Sequence, residues 1–87
     1  EKQLDYMVER INKASGTPIA PWTRTDAGLK ANIGNFHLSG AYGGVSLHEM
    51  LTDGGGISDV FGCGHVPKRD LYNRMSAYLR GLETKTA

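Results

Sequence analysis

The residues that could carry chemistry gather in one stretch, DGGGISDVFGCGH, which runs from Asp53 to His65 and holds the chain's single cysteine. Cys63 and His65 are two positions apart, and a thiolate beside an imidazole can bind zinc or act as a nucleophile with its base. Five glycines in the same stretch could instead form a phosphate-binding loop. Each of these chemistries requires particular neighbouring residues.

The run Asp53 to Gly56 does not meet the requirement of a phosphate loop. A P-loop needs a lysine and a serine or threonine before a helix, and here the flanking patterns predict a strand on each side. Glycines between strands are usually turn residues, because glycine alone enters positive φ without steric cost. The sequence therefore predicts turns and no nucleotide cofactor.

A zinc site would need the other two histidines, His37 and His48, as further ligands. The sequence favours a hairpin that closes around Ser39 to Ala41, which would place His37 near Gly43 and His48 near Asn32. The two imidazoles would then lie at different ends of the sheet. We predict no metal site and no bound cofactor.

Catalysis by Cys63 is not favoured either. Side chains two positions apart in a strand or turn rarely converge on one substrate atom, and no oxyanion-hole motif accompanies Cys63 and His65. Asp53 and Asp59 flank a turn, where an aspartate most often bonds its own backbone. We predict that the protein is not an enzyme, has no catalytic residue and carries Cys63 as a buried or half-buried thiol.

One candidate binding surface lies at the start of the last predicted helix. Lys68 and Arg69 stand in its first turn, where positive charges oppose the helix dipole. His65 before them and Arg74 after them would extend a surface for the phosphates of a macromolecule. The alternative is a solvated helix end with Asp70 offsetting the charge, and the net charge of +1 favours that alternative.

The elements that must position these residues follow from hydrophobic periodicity. An apolar stripe predicts a helix over about residues 2–14, and a second stripe predicts one over about residues 67–82, followed by a frayed polar tail at 83–87. Short apolar runs between turn residues predict a sheet over about residues 22–61. Residues 46–51 are open to either a strand or a short helix. The first stripe consists of Leu4, Met7, Val8 and Ile11.

The whole chain, residues 1–87, is predicted to form a single α+β domain. Both helices need an apolar surface to cover, and the sheet is the only large one available. The sequence thus predicts a two-layer sandwich of an N-terminal helix, a three- or four-stranded antiparallel meander and a C-terminal helix. This α-β-β-β-α order is that of double-stranded-RNA-binding domains, whose motifs are absent. Trp22 is expected to plug one end of the core, and Leu29 to Leu38 to form one strand with a bulge at Gly34 and Asn35.

Two runs, KANIGNFHLSGAYGGVSLHEM from Lys30 and GHVPKRDLYNRMSAYLRGL from Gly64, resemble a family of small accessory proteins encoded by tailed bacteriophages and prophages. The resemblance implies a setting, the cytoplasm of the bacterial host, and no catalytic residue can be carried over from it. The single cysteine and the lack of a long apolar run agree with a cytoplasmic location and give no reason to expect a membrane partner.

The sequence therefore predicts a small non-enzymatic accessory protein that binds a host or phage macromolecule, most simply a protein. The exposed edge of a small meander can accept a further strand, and the same edge could join two copies in a homodimer. The alternative is a nucleic-acid-binding domain that uses the start of the last helix. These two hypotheses differ in the surface that carries the function.

Overall fold

The computed structural model describes residues 2–86, with side chains up to residue 84. Helix α1 spans Lys2–Ser15, and helix α2 spans Lys68–Thr86. Between them lie five strands: β1 Trp22–Thr25, β2 Gly28–Ala31, β3 Phe36–Ala41, β4 Gly44–Met50 and β5 Ile57–Asp59. The predicted α+β class, with antiparallel strands between two terminal helices, is confirmed. Residues 46–50 belong to a strand and not to a short helix.

The strands form two antiparallel sheets where the sequence predicted one meander. β1 pairs with β2, and the second sheet has the order β3, β4, β5. The single strand predicted from Leu29 to Leu38 is wrong, because the chain leaves β2 after Ala31 and enters β3 at Phe36. Gly34 bends this connection with a φ of 92°. The apolar parity therefore changes because the two halves belong to different sheets.

The core lies between the two helices and one face of the three-stranded sheet. Alternate residues of a strand point to opposite faces, so Phe36 of β3 and Leu47 of β4 reach the helices while their neighbours point away. The fully enclosed cluster contains Leu4, Met7, Ile11, Phe36, Leu47, Leu71, Met75 and Leu79. The sheet thus has a second face that the helices do not cover.

Trp22 does not plug the core as predicted, since 43% of it is exposed. Its indole ring instead lies against the turn after β4, so close that a Cβ on Gly55 would stand 3.0 Å from the ring. The Ala31 amide donates to the carbonyl oxygen of Asp53 at 3.0 Å in the same region. Trp22 therefore helps to attach the β1 and β2 hairpin to the end of the larger sheet.

Helix α2 continues to Thr86, four residues beyond the predicted end at residue 82. The guanidinium of Arg10 on α1 donates to the carboxylate of Glu83 at 2.8 Å. The Thr84 hydroxyl donates to the carbonyl oxygen of Arg80 at 2.8 Å. The tail predicted at 83–87 is thus helical through residue 86, and Ala87 lies outside the described residues.

Candidate functional site

The tip of the β3 and β4 hairpin sets the register of the larger sheet. Tyr42 and Gly43 form a two-residue turn, and both have positive φ, 54° and 74°, as a type I′ turn requires. The predicted turn around Ser39 to Ala41 is wrong, because these residues continue β3. The later turn pairs His37 directly with His48. The prediction that these imidazoles lie at different ends of the sheet is therefore also wrong.

All three histidines lie in one row on the sheet face that points away from the helices. The ring centroids of His37 and His48 are 5.9 Å apart, and those of His48 and His65 are 6.1 Å apart. The ring of Tyr42 continues the row, 6.1 Å from that of His65. We call these four side chains the histidine row. It brings all three histidines of the chain onto one surface.

His65 joins the row because a short bridge holds its segment against β4. Val45 and Val66 exchange two backbone hydrogen bonds, of 2.8 and 2.9 Å. Gly44 permits this approach, since a Cβ there would stand 3.0 Å from the backbone of His65 and Val66. Nε2 of His65 consequently lies 3.3 Å from the Ser39 hydroxyl.

Asn35 fixes the protonation pattern of the neutral His37 ring. This fully buried amide donates from Nδ2 to the carbonyl oxygens of Pro18 and Ile19, at 2.8 and 3.0 Å. Its Oδ1 atom is thereby turned toward Nδ1 of His37, 3.2 Å away. A carbonyl oxygen can only accept, so Nδ1 carries the proton and Nε2 keeps the lone pair.

Two members of the row favour the neutral form. Burial, with a smaller contribution from the neighbouring His48, lowers the pKa of His37 below 6.5. Burial also lowers the pKa of His48; Asp59 opposes this effect and His65 adds to it. Burial therefore favours the neutral imidazole form of both rings, in which one ring nitrogen carries a lone pair.

The loop after β5 is organised by Asp59, which bonds its own backbone as predicted. Gly62 and Gly64 donate their N–H groups to its carboxylate at 3.2 and 2.8 Å. Burial alone would raise the pKa of Asp59, but hydrogen bonds led by that from Gly64 lower it below its ordinary value. Cys63 in this loop is a half-buried free thiol, as predicted, and its Sγ lies 3.7 Å from the carbonyl oxygen of Gly64. The carboxylate is thus held by the backbone of its own loop.

The structure places two of the four residues predicted to bind a macromolecule together in one surface cleft. Lys68 and Arg69 line a surface cleft between the starts of the two helices. His65 belongs to the histidine row. Arg74 follows Arg69 by five residues, which on an α-helix places it about 140° around the axis. The cleft is completed by Gln3, Tyr72 and Asn73.

The outer edge of β3 is a further feature of the site region. The backbone carbonyl oxygen of Asn35 accepts a hydrogen bond from the Met50 amide. Odd-numbered residues of β3 therefore turn their N–H and C=O groups toward β4, and even-numbered residues turn theirs away. At Phe36 the buried side chain of Asn12 occupies this outer edge, accepting from the amide and donating to the carbonyl oxygen, both at 2.9 Å. Farther along, Leu38 and Gly40 point their peptide groups to a side where the described chain has no strand.

Sequence reasoning overlooked Asn12 and the pairing of the histidines. Asn12 follows Val8 by four residues and therefore continues the apolar stripe of α1, where a polar residue signals a buried hydrogen-bonding role. The pairing of the histidines could be predicted only from the correct hairpin register. The run GAYGG contains several glycines that could form the turn, so the sequence left that register ambiguous.

Comparison with models of protein families finds no match, and comparisons with curated proteins and with solved structures find no significant match. Within the described residues, no helix is both long and apolar enough to cross a membrane.

Proposed function

We propose that this protein is a non-enzymatic binding module that takes an extended segment of a host or phage protein along the outer edge of β3. The observation that carries the proposal is the outward direction of the peptide groups of Leu38 and Gly40. Together they offer two N–H donors and two carbonyl acceptors, enough to pair a short added strand.

The edge has few of the features that normally block strand addition. Proteins protect such edges with charged residues, prolines or a covering element. β3, with the sequence FHLSGA, contains neither charge nor proline. Asn12 closes only the Phe36 end, which gives an incoming strand a defined starting point. The remaining edge ends at the Tyr42 and Gly43 turn.

The setting we propose is the cytoplasm of a phage-infected or lysogenic bacterium, on the basis of the resemblance from Lys30 onward. A small accessory protein in that setting acts by occupying a partner, and a sheet edge is suited to that task. Backbone hydrogen bonds supply affinity, while the side chains flanking the edge select the sequence that is bound.

Replacing Gly40 with proline tests this proposal. Proline removes the outward N–H and is tolerated on an edge strand, since the ladder to β4 does not use that group. We expect affinity capture from bacterial lysate, with nuclease added, to retain a partner on the native chain. The Gly40→Pro variant should bind that partner at least about tenfold more weakly, a loss equivalent to about 1.4 kcal/mol.

The matched control is Gly40→Ala, which keeps the N–H group. The nearest atom to the added Cβ would be the carbonyl oxygen of Gly44 at 3.9 Å, so the methyl group fits. This variant should bind like the native chain, and both variants should melt cooperatively. Equal binding by Gly40→Pro and Gly40→Ala would contradict the proposal. A dimer that Gly40→Pro converts to a monomer in light scattering would identify a second copy of the chain as the occupant.

The cleft at the start of α2 supports a second candidate function, nucleic-acid binding. Lys68 and Arg69 supply positive charge there, and Tyr72 supplies an aromatic ring; backbone phosphates and unstacked bases are recognised by such groups. Titration against duplex DNA, duplex RNA and single strands should then show affinity that falls with salt. Changing Lys68 and Arg69 to alanine should weaken binding and reduce the salt slope by roughly two.

Arg74→Ala is the control for that titration, because it also removes a positive charge, but from a position outside the cleft. It should leave both the affinity and the salt slope close to native. Affinity that is absent at low salt, or indifferent to salt, would rule out this second function.

A further inference from the structure

We propose that His37 and His48 form a two-imidazole binding site for a late first-row divalent metal ion, Cu²⁺, Ni²⁺ or Zn²⁺, on the outer face of the three-stranded sheet. The inference is independent of the proposed strand addition. Its basis is that these two histidines are direct partners across β3 and β4, with their rings 5.9 Å apart.

The spacing of the two rings suits chelation. Two imidazoles on one zinc ion have Zn–N bonds of about 2.0–2.1 Å, which sets their ring centroids roughly 5–6 Å apart. The observed 5.9 Å between His37 and His48 falls within that range. The rings now meet edge to face, at 82°, so binding requires rotation of the His48 ring, while His37 stays oriented by Asn35. The paired backbone of β3 and β4 can stay in place.

The donor atoms are also prepared for a metal. A histidine ligand usually donates its second ring N–H to a carbonyl or carboxylate oxygen, which orients the ring and raises its basicity. Oδ1 of Asn35 takes that role for His37 and leaves Nε2 as the ligand atom.

The site offers two protein ligands. No group of three or more His, Cys, Asp or Glu side chains among the described residues is placed to hold one ion, so water completes the coordination. Nε2 of His65 faces the Ser39 hydroxyl instead. Imidazole ligands favour copper, nickel and zinc over the oxygen-seeking Mg²⁺ and Ca²⁺. Affinity should follow the usual order, with Cu²⁺ bound most tightly.

Isothermal titration calorimetry on the chain without a histidine tag tests the site. The measurements use the native chain and a Cys63→Ser background, since a free thiol binds the same ions. We expect one Cu²⁺ or Zn²⁺ per chain, equal affinity in the Cys63→Ser protein, and no heat from Mg²⁺. His37→Gln and His48→Gln should each weaken binding by about tenfold or more, while His65→Gln should stay within about threefold of the parent.

Folding of each variant is checked by thermal melting, and NMR of the imidazole resonances provides a second readout. Zn²⁺ should shift the signals of His37 and His48 in the native chain. The proposal is overturned if Cu²⁺, Ni²⁺ and Zn²⁺ all fail to bind the folded chain, or if Mg²⁺ binds as well as they do. It is also overturned if His65→Gln loses affinity while His37→Gln keeps it.

Discussion

Asn12 lies on the buried stripe of α1, and every hydrogen-bonding position of its amide is occupied. Nδ2 donates to the carbonyl oxygens of Val8 and Phe36, at 3.2 and 2.9 Å. Oδ1 accepts from the Phe36 amide and from the Thr17 hydroxyl, both at 2.9 Å. One side chain thereby replaces a neighbouring strand at the start of β3 and joins the helix to the sheet edge.

Replacing Asn12 with leucine should destabilise the protein by roughly 2–4 kcal/mol. Leucine has a similar size, but it leaves the buried N–H and C=O groups of Phe36 without partners, and each such group costs about 1–3 kcal/mol. Chemical denaturation gives the free energy of unfolding directly. Asn73→Leu is the control, because it makes the same change at an exposed helix position. Equal effects at the two positions would contradict the role given to Asn12.

His37 and His48 make stability depend on pH. The pKa values of His37 and His48 in the folded protein are below the ordinary value of 6.5, mainly because of burial. The unfolded chain therefore binds more protons in this range, so stability is fully present above about pH 6.5 and is lost as pH falls through the folded pKa values. The melting temperature should decline between pH 7 and pH 5, and less steeply in His48→Gln.

High salt serves as the control for this pH dependence. Salt screens the repulsion of His48 with His37 and His65, and also its attraction to Asp59, but it does not change burial. Since burial is the largest cause, most of the decline should persist in 1 M salt. A melting temperature that is independent of pH between 7 and 5 would show that His37 and His48 are not desolvated.

Single residues could be predicted where the deciding contact is local in sequence. Asp59 bonds amides within five positions, and Cys63 is half-buried beside them, so composition and spacing sufficed. The pairing of His37 with His48 depends on a contact across a turn. An error in the predicted register changes every cross-strand partner. For this reason the sequence alone placed these two histidines at different ends of the sheet.

At the scale of elements, the Tyr42 and Gly43 turn carries a measurable strain. Tyr42 is 99% exposed and is the one described residue other than glycine with a positive φ. A bulky side chain in this conformation costs about 1 kcal/mol, and asparagine adopts it more readily. Tyr42→Asn should therefore raise stability by roughly 0.5–1 kcal/mol in thermal or chemical unfolding. Tyr42→Ala should show no such gain. A gain of equal size in Tyr42→Ala would mean that the effect comes from loss of the aromatic ring and not from relief of backbone strain.

Helix positions were predictable to within a few residues because each helix has its own apolar stripe. The start of α2 differs from the prediction by one residue, but its end differs by four. Glu83 and Thr84 lie in the added turn, and the partner of Glu83 is Arg10 on the other helix. An ion pair between elements distant in sequence leaves no periodic signal, so the polar tail looked unstructured.

At the scale of the whole molecule, Leu47 brings β4 into the hydrophobic cluster that the sheet shares with both helices. It is fully buried in the common cluster. Leu47→Ala should lower the free energy of unfolding by about 2–5 kcal/mol, because it removes buried methyl groups and leaves a cavity. Leu51→Ala is the control, since half of that side chain is exposed, and should cost about 1 kcal/mol or less. Similar losses in the two variants would contradict this description of the core.

The α+β class was predictable because two amphipathic helices and an antiparallel sheet have few ways to bury their apolar faces. The division into two sheets was not, since it depends on the connection through Gly34 and on Trp22 resting against Gly55. The residues on the sheet face opposite the helices could not be predicted either. They follow from alternation along the strands only once the register is known.

The two-residue length of the hairpin turn also constrains how this sequence can vary. Inserting a single residue beside Tyr42 would change no histidine, yet where the longer turn shifts one strand against the other it would move His37 away from His48. Descendants of this chain that keep the paired imidazoles must therefore keep the register that this turn sets. In an alignment of such descendants, insertions at Tyr42 and Gly43 should coincide with loss of one of the two histidines.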